Sequence, residues 1–184
     1  MTDTIPKLDK PWAKQLKRPL AKWHHNQGST NDCGPFSAAI VANGLRDKQV
    51  IDAPALARAM EQAPKDCPIP LPFSLDRIPG SATFPWGVAH ALEQQGFKAR
   101  WHVLSSIDHL KENLDKGLAT IVIVGNPKEG WAHYKVLYAW DPKHGWAFVD
   151  PAAAEKQAFS YQEDASFEEQ WSAIGRICVE VWDE

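Results

Sequence analysis

The sequence predicts a single α+β domain in which a helical N-terminal half packs on a C-terminal antiparallel sheet. Three observations carry that expectation. Apolar residues recur at helical spacing in three segments between residue 33 and about residue 96, whereas the later segments alternate or are β-branched. The chain has 184 residues, enough for one hydrophobic core and few for two. Hydrophobic residues make up 44% and charged residues 23%, ordinary globular usage that argues against disorder, fibrous repeats or a membrane protein.

Residues 1–22 are polar and punctuated by Pro6, Pro11 and Pro19, the pattern of an arm laid over the domain as an extended segment or short helix. The domain proper is expected over 23–184. From Cys33, CGPFSAAIVANGL has small and apolar residues at helical spacing, with Pro35 suited to the first turn and Gly44 near the end. APALARAMEQA gives a second helix with Leu56, Ala59, Met60 and Ala63 on one face. The Pro-rich stretch from about 65 to 85 breaks all periodicity and reads as a loop. WGVAHALEQQGFK gives a third helix ending at Gly96. ARWHVL and LATIVIV read as strands, with SIDHLKENLDKG as a short helix between them. AHYKVLYAWD, HGWAFVDP, QAFSY and GRICVEVW follow as strands bounded by Gly, Pro or Asp, several of them pairing antiparallel.

Charge and cysteine usage narrow the function classes. Twenty Lys and Arg stand against 23 Asp and Glu with no long block of either sign, so no nucleic-acid or anionic-lipid partner is expected. The N-terminus has no apolar h-region and no run of about 18 apolar residues occurs, so the expected location is cytoplasmic with no membrane segment. Cys33, Cys67 and Cys178 are too few and scattered for a disulfide framework, and no CxxC pair marks a zinc or redox site. The nine tryptophans are dispersed and read as core anchors or groove walls.

The chemistry concentrates at Gln27-Gly28-Ser29-Thr30-Asn31-Asp32-Cys33-Gly34-Pro35, where a thiol stands at the junction of loop and helix. Unsatisfied N–H groups and the positive end of the helix dipole stabilise a thiolate there, which makes Cys33 a candidate nucleophile. Gln27, six residues earlier, can fold back beside the Cys33 backbone N–H and complete an oxyanion hole. The thiolate needs a base, and the imidazole needs an orienting group. His133 begins one strand and Asp150 ends the next. Asp141-Pro142-Lys143-His144-Gly145 lies between them as a reversal signal, so both can reach the same end of neighbouring strands.

QGSTNDCGP, AHYKVLYAWD and FVDP resemble, in order and spacing, the three motifs of the C39-like branch of papain-like cysteine peptidases, related to the domains that process bacteriocin double-glycine leader peptides. The resemblance runs through most of residues 23–180. It implies a papain-like fold, Cys33 as nucleophile, His133 as base, Asp150 of the Asp-Pro pair as the group orienting the imidazole, and Gln27 as oxyanion support. It also implies a peptide or protein substrate and no cofactor or metal. Leader-processing members usually precede transmembrane and ATPase domains, so transport coupling is not carried over. The same triad supports acyl transfer and deamidation on related folds, and the fold can persist as a peptide-binding module without turnover.

Blander roles are expected for the other candidates. Cys67 has none, and Cys178 is a core residue of its strand. His24 and His25 lack the i, i+4 spacing of a zinc motif and suit a surface loop, while His90, His102, His109 and His144 are isolated in sequence. Asp32 suits an N-cap. Trp131 is either a groove wall or a turn residue covering the core. The oligomeric state has no sequence signal.

Overall fold

The structure is a computed structural model that describes residue 8 and residues 11–62, 75–155 and 157–183. A short strand, β1 (Lys14–Gln15), and a 3-10 turn (Leu20–Trp23) precede α1 (Cys33–Arg46), α2 (Ala53–Met60) and α3 (Pro85–Glu93). Then come β2 (Lys98–His102), α4 (Ile107–Lys116), β3 (Ala119–Asn126), β4 (Trp131–Asp141), β5 (Gly145–Val149), β6 (Phe159–Gln162), α5 (Asp164–Ala173) and β7 (Cys178–Trp182). The strands form one antiparallel sheet in the order β2-β7-β3-β4-β5-β6, with β1 alongside the end of β4. The α+β expectation holds, and no described helix is long and apolar enough to cross a membrane.

Sequence chemistry accounts for the helix boundaries. Asp52 caps α2 by accepting from the Ala55 N–H at 2.8 Å, and Ser106 caps α4 through the His109 N–H at 3.1 Å. Gly117 closes α4 at φ +70°, a conformation that costs glycine little. The β4–β5 hairpin closes where Asp141 Oδ1 accepts from the Lys143 N–H at 2.9 Å, turning the chain as an Asx side chain does.

Helices cover both faces of the sheet. Thr120, Leu137 and Phe148 lie in register across β3, β4 and β5, and α4 and α5 pack over that face. There the Phe167 ring meets Trp146 at 5.0 Å and Phe148 at 5.3 Å. On the opposite face Trp86 of α3 meets Trp101 of β2, and α1 packs against α2, α3 and β4. α1 is buried along nearly its whole length, which is why its sequence is apolar all round.

Four details differ from the sequence pattern. α5 is not signalled, because only Phe167 and Trp171 of its ten residues are buried and its apolar periodicity is correspondingly weak. On α2 the buried residues are Ala53, Ala57 and Met60, while Ala59 is exposed; Ala63, like Cys67, lies outside the described residues. Residues 75–84 of the Pro-rich stretch form a small hairpin, with Ile78 N–H to Ala82 O at 2.8 Å, Phe84 N–H to Asp76 O at 3.0 Å and a bridge between Arg77 and Thr83. Gly44 does not end α1, which runs on to Arg46. It admits Leu20, whose Cα would lie 2.9 Å from a Cβ at position 44.

That contact sets the sign of a substitution. Gly→Ala inside a helix ordinarily stabilises by about 1 kcal/mol. Gly44→Ala is expected instead to destabilise by about 1–3 kcal/mol, because Leu20 backbone must move in a packed core. Urea unfolding at neutral pH measures it, and an unchanged or raised midpoint contradicts the close packing.

Candidate active site

The β4–β5 register builds the first half of the site. Val136 pairs with Val149, so Lys135 falls opposite Asp150, and strand alternation puts His133 on the same side as Lys135. His133 Nε2 lies 2.7 Å from Asp150 Oδ1, and Lys135 Nζ lies 3.3 Å from Oδ2. Oδ1 also accepts the Ala152 N–H at 2.9 Å. With Nε2 engaged by the carboxylate, Nδ1 is the nitrogen left for Cys33, whose thiol lines the same cleft. Asp150 is only 5% exposed. Burial works to raise its pKa, but the His133 hydrogen bond and charge, with the Lys135 charge, hold it well below the usual carboxylate range.

The second half comes from α1 and the loop before it. Cys33 is the first residue of α1 and is half-buried. The loop is tied to the turn after β5: the Gln27 N–H donates to Pro151 O at 2.8 Å, Asn26 Nδ2 to Ala153 O at 2.7 Å, and His24 Nε2 lies 2.9 Å from Asp150 O. Gln27 Nε2 donates to Thr30 O at 2.7 Å and keeps a second N–H, while its buried Oε1 has no hydrogen-bond partner among the described residues. Gln27, Cys33 and His133 line one cleft of about 600 Å³, walled by Ile123, Trp131, Tyr134 and Thr83. Trp131 is thus a cleft wall, 39% exposed, with its ring N–H on Glu129.

Asp32 occupies the N-cap position but its side chain accepts no helix N–H; its carboxylate pairs with Arg77 Nη2. The Arg77 side chain is 1% exposed, and a buried guanidinium demands an anionic partner more strongly than a helix end demands a cap. This pair pins the 75–84 hairpin beside the thiol. Thr83 is held from the other side, its carbonyl accepting Tyr134 OH at 2.8 Å. A Cβ at position 34 would lie 2.7 Å from Thr83 Cβ, so the glycine after Cys33 is required by this close approach.

All four sequence-selected residues, Gln27, Cys33, His133 and Asp150, meet here. Sequence reasoning passed over Lys135, His24, Arg77 and Thr83. Lys135 had a signal, standing two residues after His133 on the same strand. Arg77, Thr83 and His24 had none, since their approach depends on how a loop folds back. Cys178 is fully buried, and burial pushes its thiol up to about 12.

The pKa of His133 makes the site testable through stability. Burial lowers it, but the Asp150 hydrogen bond and the neighbouring Asp150 and Cys33 groups outweigh burial and raise it from 6.5 to about 9. A group raised on folding contributes stability fully below its unfolded value and loses it as pH climbs through the folded value. The stability difference between the native protein and His133→Phe should therefore be largest below pH 6.5 and shrink toward pH 9. Urea midpoints at a series of pH values read this, and a difference that grows with pH contradicts the pairing.

No family model matches the sequence, and no curated protein matches it. Solved structures do. The chain is similar to a Bacillus anthracis protein described as a C39-like peptidase, at TM-score 0.63 and 15% identity, covering 88% of this chain and 94% of the other. It is similar to a double glycine motif protease from an AMS/PCAT transporter, solved in complex with the leader peptide, at TM-score 0.57 and 17% identity over 94% and 96% of the two chains. It is also similar to the peptidase domain of Streptococcus mutans ComA, at TM-score 0.51 and 19% identity over 87% and 98%. The chain has the α+β fold of C39-like peptidases and double-glycine motif protease domains.

Proposed function

We propose that the protein is a cysteine peptidase-like hydrolase that cleaves a peptide bond through a thioacyl intermediate formed on Cys33. The carrying observation is the His133 imidazole, hydrogen-bonded to Asp150 and sharing the wall of one open cleft with Cys33. In this reading Cys33 and His133 react as thiolate and imidazolium. The thiolate attacks the scissile carbonyl, whose electron pair moves to oxygen. The developing oxyanion is met by the Cys33 backbone N–H at the start of α1 and by the Gln27 Nε2–H not engaged by Thr30. The intermediate collapses, and the C–N bond breaks as His133 gives its proton to the leaving amine. His133 then takes a proton from water, which attacks the thioester and returns Cys33 and the acid product.

Asp150 keeps one imidazole nitrogen protonated and the other turned to sulfur, and Lys135 holds the carboxylate's second oxygen. A peptide occupant suits the cleft, whose walls pair the apolar Ile123, Ile174 and Trp131 with polar groups at the thiol end. The solved neighbour in complex with a leader peptide supports a peptide ligand for this chain too. We further propose that the peptidase domain spans 23–184, that the described part of the preceding 1–22 segment, residue 8 and residues 11–22, serves as its arm, and that the protein works in the cytoplasm; residues 1–7, 9 and 10 lie outside the described residues.

The test is cleavage of a defined peptide library, read as new termini by mass spectrometry. Cys33→Ala is expected to abolish it with the fold kept. His133→Ala should lower kcat/KM by about 10²-fold or more, the usual share of a general acid–base group. Asp150→Asn should cost less than His133→Ala, because the amide oxygen still accepts the Nε2–H. Full activity in Cys33→Ala ends the reading. Added hydroxylamine should divert part of the product to hydroxamate, as a thioacyl intermediate requires, whereas product formed only with an amine acceptor present and no free acid would make the enzyme an acyltransferase instead.

A second prediction concerns the thiol alone. Iodoacetamide should label Cys33 in the native protein far faster than Cys178, and His133→Ala should slow Cys33 labelling at pH 6. Equal rates for Cys33 in the two proteins would leave a peptide-binding module without turnover as the better reading.

A further inference from the structure

Away from the cleft, two histidines that look isolated in the sequence converge on one buried carboxylate. His102 ends β2, His109 lies in the first turn of α4, and Glu180 is the middle residue of β7. His102 Nε2 stands 3.0 Å from Glu180 Oε2, and His109 Nε2 contacts Oε1. Glu180 is 7% exposed, whereas the two imidazoles are 28% and 34% exposed, so the group opens to solvent on one side. One ligand-capable atom from each residue lies within 4.8 Å of the others, the one such trio among the described residues.

We propose that His102, His109 and Glu180 form a binding site for a zinc-class divalent transition metal. Two imidazole nitrogens and one carboxylate oxygen are the donor set that favours zinc over calcium or magnesium, with water in a fourth position. Tetrahedral ligands at about 2.0–2.2 Å from a metal lie roughly 3.3 Å apart, so each ligand atom would move by under about 1 Å. In each neutral ring the proton shifts to Nδ1 and the Nε2 lone pair goes to the metal.

The carboxylate is already held for this role. Buried Asn113 donates to Glu180 Oε1 at 2.8 Å and stands 3.2 Å from Thr120 Oγ1, the outer-layer support that orients a metal-bound carboxylate. Glu180 thus gathers three donors, His102 on Oε2 and both His109 and Asn113 on Oε1, and a metal would take the place of the two imidazole protons while Asn113 stays in position. The metal would clip the edge strand β2 and helix α4 to β7. Register places Glu180 beside Thr120, two strands from β4 and four residues short of the level of His133, roughly 16 Å away, so this site is separate from the thiol.

The test is equilibrium dialysis against micromolar zinc in the Cys33→Ala background, which removes the thiol as a competing ligand. One equivalent is expected to bind. His109→Phe and Glu180→Gln should weaken binding by more than the about 10- to 100-fold that outer-layer changes cost. Zinc should raise the thermal midpoint of Cys33→Ala and leave that of Cys33→Ala/His109→Phe unchanged, with circular dichroism confirming that each variant folds. Zinc uptake no greater than a buffer blank, or undiminished in both variants, overturns the proposal. Neither result bears on whether Cys33 cleaves peptides.

Discussion

The architecture around the cleft depends on one buried charge. The Asp150 carboxylate sits at the end of β5 with little access to water, and such a group is tolerated only when its oxygens are paired. Three donors meet the requirement: the His133 imidazole, the Lys135 ammonium and the Ala152 N–H. Two of these come from β4, so the charge selects one register of the β4–β5 hairpin. A slip of one residue would turn His133 and Lys135 to the other face and leave the carboxylate unpaired. The backbone around Asp150 then gathers the loop before α1, through Gln27 to Pro151 and His24 to the Asp150 carbonyl.

A second buried charge organises the other bank. Arg77 reaches from the Pro-rich segment to Asp32, the residue before the thiol, and so anchors the 75–84 hairpin against the start of α1. Thr83, clamped between Gly34 and the Tyr134 hydroxyl, closes that side of the cleft. Both banks are thus fixed by ion pairs, one set across the β4–β5 hairpin and one between Asp32 and the distant Arg77, while the thiol rests at a helix start between them. A preorganised arrangement of this kind is what nucleophilic catalysis demands, because a thiol, a base and an oxyanion donor must meet without waiting for the chain to rearrange.

The two histidine sites draw on the same physics in different ways. His133 is enclosed between a carboxylate and a thiol, which raises its affinity for a proton. His102 and His109 share a carboxylate at a half-open sheet edge, where a cation can replace their hydrogen bonds. Local chemistry, rather than residue type, separates the two proposed roles, an acid–base imidazole and a metal ligand.

Sequence alone determined the α+β class, because helical and strand periodicities separate cleanly along the chain. It also marked Gln27, Cys33, His133 and Asp150, because a thiol at a helix start and a His and Asp flanking one tight hairpin are local patterns. Tertiary structure decided the rest. The fold-back of the 75–84 hairpin, the diversion of Asp32 from capping to Arg77, the tie from His24 to Asp150, and the meeting of His102, His109 and Glu180 join residues that no short-range pattern connects. α5 escaped notice because two aromatic residues were enough to dock it on Trp146 and Phe148. The physical reason is common to these cases. Periodicity reports which face of an element is buried, but what that face meets is settled only when loops close and buried charges find their partners.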